Sequence, residues 1–288
     1  MLKAHFASSH FVLKIILLLL LLLVCSFCSL LLYNFIVGAF FDNEQNLALM
    51  QIIQSFGVFI LPSVLVAYFC TESVRQGLQW KLRKKWSLYF LVTLLMLSAI
   101  PAINLLAWLN EQLVFPPFMS GIEQWFRTAE NNAKAITESM LQASNFWGLA
   151  FNLLLVAVLP ALSEEIFFRG ALQKILHSWR GAVVAIWIVA FVFSAIHMQF
   201  YGFVPRMLLG AMFGYLVYWS GGLGLAIWAH FVNNAIAVTF HYLQSNYYTQ
   251  FPLDTIGSGK TIWLGSISIV VLGLLLIIIR KIALPNRT

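Results

Sequence analysis

Charge is what this chain has least of. Asp, Glu, Lys and Arg make up 9% of its 288 residues, whereas a soluble domain carries about 25%. With 61% hydrophobic residues and a mean hydropathy of +0.87, a water-soluble fold is excluded and a polytopic membrane protein is expected. Cysteine is scarce too. Cys25, Cys28 and Cys70 fall in or beside apolar segments and read as reduced packing residues. Cys25-x-x-Cys28 has a redox or zinc spacing, but thiolates in hydrocarbon are costly. The chain has no internal repeat and no soluble stretch large enough to fold alone. It has no H-E-x-x-H helix. A cleavable signal is not expected either, because the apolar run 15–33 is longer than an h-region and lacks an A-x-A site. The net charge of +7 does not call for nucleic acid. The basic residues cluster in a few short loops, as membrane orientation requires.

What is present is a series of apolar runs. At about 20 residues per crossing they predict an all-α fold, a polytopic transmembrane helix bundle of about eight spans. These lie near 11–33, 50–70, 88–109, 146–177, 182–200, 204–219, 223–243 and 261–279. Three units follow: 1–145 with three spans and an outer amphipathic loop, 146–243 with four spans, and 244–288 with the last. The most basic loop holds Arg75, Lys81, Arg83, Lys84 and Lys85, so it is placed in the cytoplasm. Lys174, Arg180, Arg280, Lys281 and Arg287 fall on the same side. Asp42, Glu44, Asp254 and Lys260 fall on the other. Both termini then face the cytoplasm in an integral, multi-pass protein, of the inner membrane if the source is bacterial. In the 110–145 connection Pro116-Pro117 makes a break, and 122–141 predicts a surface helix. Its Trp125 and Phe126 are candidates for the membrane interface, and a solvated connector is the plainer reading.

Against this background Glu164-Glu165-x-x-x-Arg169 stands out, because charges within an apolar run mark a functional or a paired structural site. Glu165 and Arg169 are four apart and can pair on one helical face. Glu164 is rotated by roughly 100° and has no local partner. Pro160 frees a backbone carbonyl one turn earlier. Phe193 and His197 share a face in the fifth span, and His230 and Asn234 share one in the seventh. Counted from the turns at 1.5 Å per residue, Glu164 and His197 lie roughly 20 Å from the cytoplasmic end, and His230 and Asn234 roughly 12 and 18 Å. All four can therefore meet inside the membrane. Singly, each also reads as a helix–helix hydrogen bonder. His177 and His241, near helix ends, read as interfacial.

These three motifs, Glu164-Glu165-x-x-x-Arg169, Phe193-x-x-x-His197 and His230-x-x-x-Asn234, resemble in order those of the CAAX protease and bacteriocin-processing (Abi) family, which includes the type II CAAX prenyl endopeptidases. The resemblance covers about residues 146–243. It implies an intramembrane endopeptidase of the glutamate type without a cofactor. Glu164 would be the general base and His197 would help hold the water. His230 and Asn234 would donate to the oxyanion. Arg169 paired with Glu165 would brace the helix, and Phe193 would pack beneath His197. The partners implied are the bilayer and a peptide or membrane-protein substrate, lipidated or not. Two other readings stay open: a zinc protease using Glu164, His197 and His230 as ligands, and a non-catalytic bacteriocin-immunity or transport protein using the same buried polar cluster.

Overall fold

The computed structural model describes residues 3–41, 46–113, 115–247, 253 and 255–284. Asp42, Glu44, Asp254 and Arg287 lie outside the described residues. Among those described, all repetitive structure is helical and no strand occurs. The principal helices are α1 (Phe11–Phe40), α2 (Leu47–Cys70), α3 (Trp86–Glu111), α4 (Ser120–Leu141), α5 (Phe146–Ala195), α6 (Phe203–Ser220), α7 (Gly224–Tyr247) and α8 (Ile262–Ala283). Five of them, α1, α2, α3, α5 and the helix that contains α8, are long and apolar enough to cross a membrane.

Helix α5 is two rods. Arg180 and Gly181 leave helical geometry, Gly181 with φ +80°, a conformation glycine adopts without steric cost. The break falls where the sequence predicts a turn. The second rod ends at Ala195, short of the expected 200. His197 therefore lies in the turn beyond the helix and not within it. There its Nδ1 meets the Phe193 carbonyl at 2.7 Å, filling one of the acceptors a helix end leaves open. Met198 then takes a left-handed φ of +54° and turns the chain towards α6.

Two prolines shape the bundle. Pro62 and Pro160 each follow a π-helical stretch, Gln54–Ile60 in α2 and Leu153–Val158 in α5. The wider i→i+5 turn lets each helix continue past a residue that has no N–H to give. The core lies where the first rod of α5 meets α2, α7 and α6, with α3 closing it from the α7 side.

The basic segments gather at one end. Arg83 donates to the carbonyls of Ser220 (2.7 Å) and Ala283 (2.9 Å), at the ends of α6 and α8. Lys174 bonds Gln76 of the same loop, and Phe11 stacks on Trp179 at 4.9 Å. At the other end α4 lies against the α5–α6 turn. Phe126 stacks on Phe200 at 4.5 Å, and Glu130 accepts from Gln199 Nε2 and from the Tyr201 N–H, both at 3.3 Å. The amphipathic helix is therefore docked, with Phe126 turned onto protein while Trp125 remains half exposed.

Candidate active site

The site is built around the middle of α5. Because Pro160 cannot donate, the carbonyl of Val156 lacks its usual i+4 partner. The side-chain amide of Asn234, from α7, donates to that carbonyl at 3.3 Å. Asn234 Oδ1 in turn accepts from Asn233 at 3.2 Å. One turn below on α7, His230 reaches the level of the two glutamates. Asn234 is thus held beside Val156, eight positions before Glu164.

The charged motif runs into the second π-helical stretch of α5, Ile166–Leu172; such turns recur at functional positions. Glu165 and Arg169 are both 0% exposed and pair at 2.7 Å. Arg169 Nη2 also donates to the Gly210 carbonyl at 2.9 Å. The helices approach closely there: a Cβ at Gly210 would come within 3.2 Å of Phe193 and 3.3 Å of Ala190. The guanidinium sits over Phe193 (4.7 Å), Phe213 (5.4 Å) and Phe168 (5.9 Å). Weakly hydrated and ringed by aromatic faces, it is an arginine placed where an ammonium would not serve.

Glu165 has a second partner that the helical spacing alone does not reveal. His230 Nδ1 lies 3.0 Å from Glu165 Oε1, and His230 Nε2 lies 3.9 Å from Glu164 Oε2. A carboxylate only accepts, so Nδ1 carries the hydrogen and Nε2 has one only in the imidazolium form. The ring is fixed by stacking on Phe213 (5.2 Å) and by the edge of Phe193 (6.0 Å). Phe193 also packs on His197, with centroids 5.1 Å apart. Since the Phe193 carbonyl can only accept, the neutral His197 ring presents a bare Nε2 lone pair. Glu164 is 15% exposed, yet its Oε2 is buried with no hydrogen-bond partner. Glu164, Glu165, Arg169, Phe193, His197 and His230 thus form one connected cluster, and Asn234 stands at its edge on Val156.

Three residues of this neighbourhood were missed by the motif reading. Arg206, near the start of α6, lies within electrostatic range of both Glu164 and His197. Its Nη2 donates to Gln199 Oε1 at 2.7 Å, Gln199 is held by Glu130 of α4, and its Nη1 is buried with no partner. A signal was available. Arg206 is the only Asp, Glu, Lys or Arg between Arg180 and Asp254, so the cost that draws attention to Glu164 applies to it equally.

A metal set is a different arrangement. Among the described residues, no group of three His, Cys, Asp or Glu side chains is gathered as a metal site would need. Glu164, His197 and His230 are therefore not convergent ligands in this structure. The three cysteines are free.

With this geometry in place, comparison with known families gives one match. Residues 146–236 match the family model of the type II CAAX prenyl endopeptidases, Rce1-like. The matched segment runs from the start of α5 to the middle of α7 and contains all three motifs, in agreement with the family resemblance they carry. The chain is thus similar over that segment to a class of membrane-embedded proteases. No curated protein and no solved structure matches the chain.

Proposed function

We propose that this protein is an intramembrane glutamate-type endopeptidase that hydrolyses a peptide bond in a membrane-associated substrate, such as a lipidated carboxyl-terminal tail. The observation that carries the reading is the unpartnered, buried Glu164 Oε2 beside His230, inside the segment that matches the prenyl endopeptidases. A largely buried carboxylate, with nothing neutralising that oxygen through a hydrogen bond, is suited to take a proton from water. Glu165 also has a buried Oε2 without a partner, but Arg169 at 2.7 Å cancels its charge, His230 shares its Oε1 and it is 0% exposed, whereas Glu164 is 15% exposed.

In the proposed reaction a water lies between Glu164 and the lone pair of His197 Nε2. Glu164 takes one proton, and the hydroxide oxygen adds to the scissile carbonyl carbon. The carbonyl π pair moves onto oxygen. Collapse of this intermediate breaks the C–N bond, and Glu164 returns the proton to the leaving amine. His230 in its imidazolium form, held by Glu165, donates from Nε2 to the oxyanion, and Asn234 donates the amide hydrogen that Val156 does not use. Fixed donors in a water-poor cavity stabilise developing charge strongly.

The same reading sets α5 as two crossings and adds α6 and α7 as further ones. That makes eight spans, with the basic end of the bundle and both termini in the cytoplasm. Comparative membrane proteomics of wild-type and Glu164→Gln cells tests the function. A peptide shortened only in the presence of Glu164 supports it, and identical peptide inventories refute it.

A further inference from the structure

The donors assigned to the oxyanion each already hold a structural bond. Asn234 gives one of its two amide hydrogens to Val156, whose carbonyl Pro160 cannot serve, so only the other is left to donate. His230 gives Nδ1–H to Glu165, which leaves Nε2 without a hydrogen in the neutral ring. Among the described residues three buried side-chain donors have no hydrogen-bond partner: Arg169 Nε, the Tyr201 hydroxyl and Arg206 Nη1.

The setting of Arg206 is prepared. A long arginine side chain loses rotamer freedom when fixed, and here Gln199 and Glu130 hold it in sequence. The guanidinium lies against Gly202, where a Cβ would come within 2.9 Å of Nη2. It is in electrostatic range of Glu164 and of His197, the two groups that flank the proposed water. Arg169 Nε is also without a partner, but its guanidinium is fully buried, neutralised by Glu165 at 2.7 Å and held by the Gly210 carbonyl, so it is less suited to this role.

Resting on the endopeptidase reading, we propose that Arg206 is a further catalytic residue, whose free Nη1–H holds the scissile carbonyl oxygen as it becomes an oxyanion. The charge count supports the role. Before reaction the negative charge is on Glu164, because Glu165 and Arg169 cancel. When Glu164 takes the proton, the charge passes to the carbonyl oxygen. No net charge is created, and one permanent cation in reach of both positions balances it throughout. Guanidinium stays protonated at any working pH, so this stabilisation needs no protonation of His230.

The test uses the full chain in lipid nanodiscs and two probes. One is a quenched-fluorescent peptide ending in farnesyl-cysteine and three apolar residues. The other is the same peptide with a phosphonamidate at the bond after the cysteine, whose anionic oxygens mimic the tetrahedral state. Arg206→Gln lowers kcat by about 10²–10³ with KM changed less than threefold, as removal of an oxyanion donor does. It weakens phosphonamidate binding by a similar factor. Arg206→Lys keeps the charge and regains at least tenfold of the lost kcat. If Arg206→Gln is poorly folded, Arg206→Gly with added guanidinium ion replaces it, and recovered turnover supports the role. Wild-type turnover in a folded Arg206→Gln, or a loss in KM alone, overturns the assignment of Arg206 and leaves the endopeptidase reading standing. A wild-type protein that neither cleaves the peptide nor binds the phosphonamidate overturns both.

Discussion

His230 Nδ1 lies 3.0 Å from Oε1 of Glu165, the oxygen that also receives Arg169. One carboxylate oxygen thus ties α5 to α7 and fixes the ring that faces Glu164. The two adjacent glutamates consequently have opposite expected phenotypes.

Glu164→Gln keeps the side-chain volume and removes the base. Expression and thermal stability stay near wild type, while cleavage falls to background. The loss is in kcat, with substrate binding unchanged. Steady-state kinetics beside a thermal melt checks it; full activity in the variant removes Glu164 from the role.

Glu165→Gln leaves Arg169 without its counter-charge at a fully buried position. Breaking such a pair costs about 3–5 kcal/mol, so yield and melting temperature drop and activity falls with the folded fraction. Glu165→Gln/Arg169→Met regains part of the stability but not the activity, because His230 Nδ1 then faces a neutral amide oxygen and no longer a carboxylate that favours its imidazolium form. Fluorescence size-exclusion profiles and specific activity per folded molecule separate the two effects.

Asn234→Ala removes the partner of the Val156 carbonyl. The bond is partly buried, so the stability cost is at most the roughly 1–3 kcal/mol of an unsatisfied buried acceptor. Pro160→Ala/Asn234→Ala supplies a backbone N–H at position 160 and recovers stability. If Asn234 also donates to the oxyanion, the double variant remains slower by about 10²–10³. A double variant as active as Pro160→Ala would assign Asn234 to structure alone.

Cysteines placed in a cysteine-free background test the orientation. Lys84→Cys is expected to react with a membrane-impermeant maleimide only after the membrane is opened. Gln124→Cys on α4 is expected to react in intact cells. The reverse pattern would invert the bundle and move both termini outside.

Much of the cluster was legible in the sequence because local periodicity determines it. Glu165 and Arg169 four apart on a helix meet before any tertiary contact is considered; Phe193 and His197 also meet, although His197 sits in the turn just past the helix. The Pro160 signal was also readable, since a missing N–H has a known address at Val156. What could not be read was rotation between helices. That His230 turns Nδ1 to Glu165 and Nε2 to Glu164 depends on the close packing of α5, α6 and α7 around Phe193, Phe213 and Gly210. The end of the fifth span was misplaced because apolar residues continue through Ile196 and Met198, whereas the backbone stops being helical at Ala195. Arg206 was overlooked for another reason. It belongs to no motif, and its solitude within a long uncharged stretch is a composition signal.

The Glu165–Arg169 bond also bears on how the chain enters its membrane. Both residues belong to one helix at a spacing that lets them pair as soon as that turn forms. The segment can therefore leave the insertion machinery with those two charges already cancelled, well below the cost of two separate ions in hydrocarbon. Glu164 and Arg206 enjoy no such early partner, since they sit on α5 and α6 and approach each other only when those helices associate. Biogenesis would then place the bracing pair first, and the reactive charges would come together last.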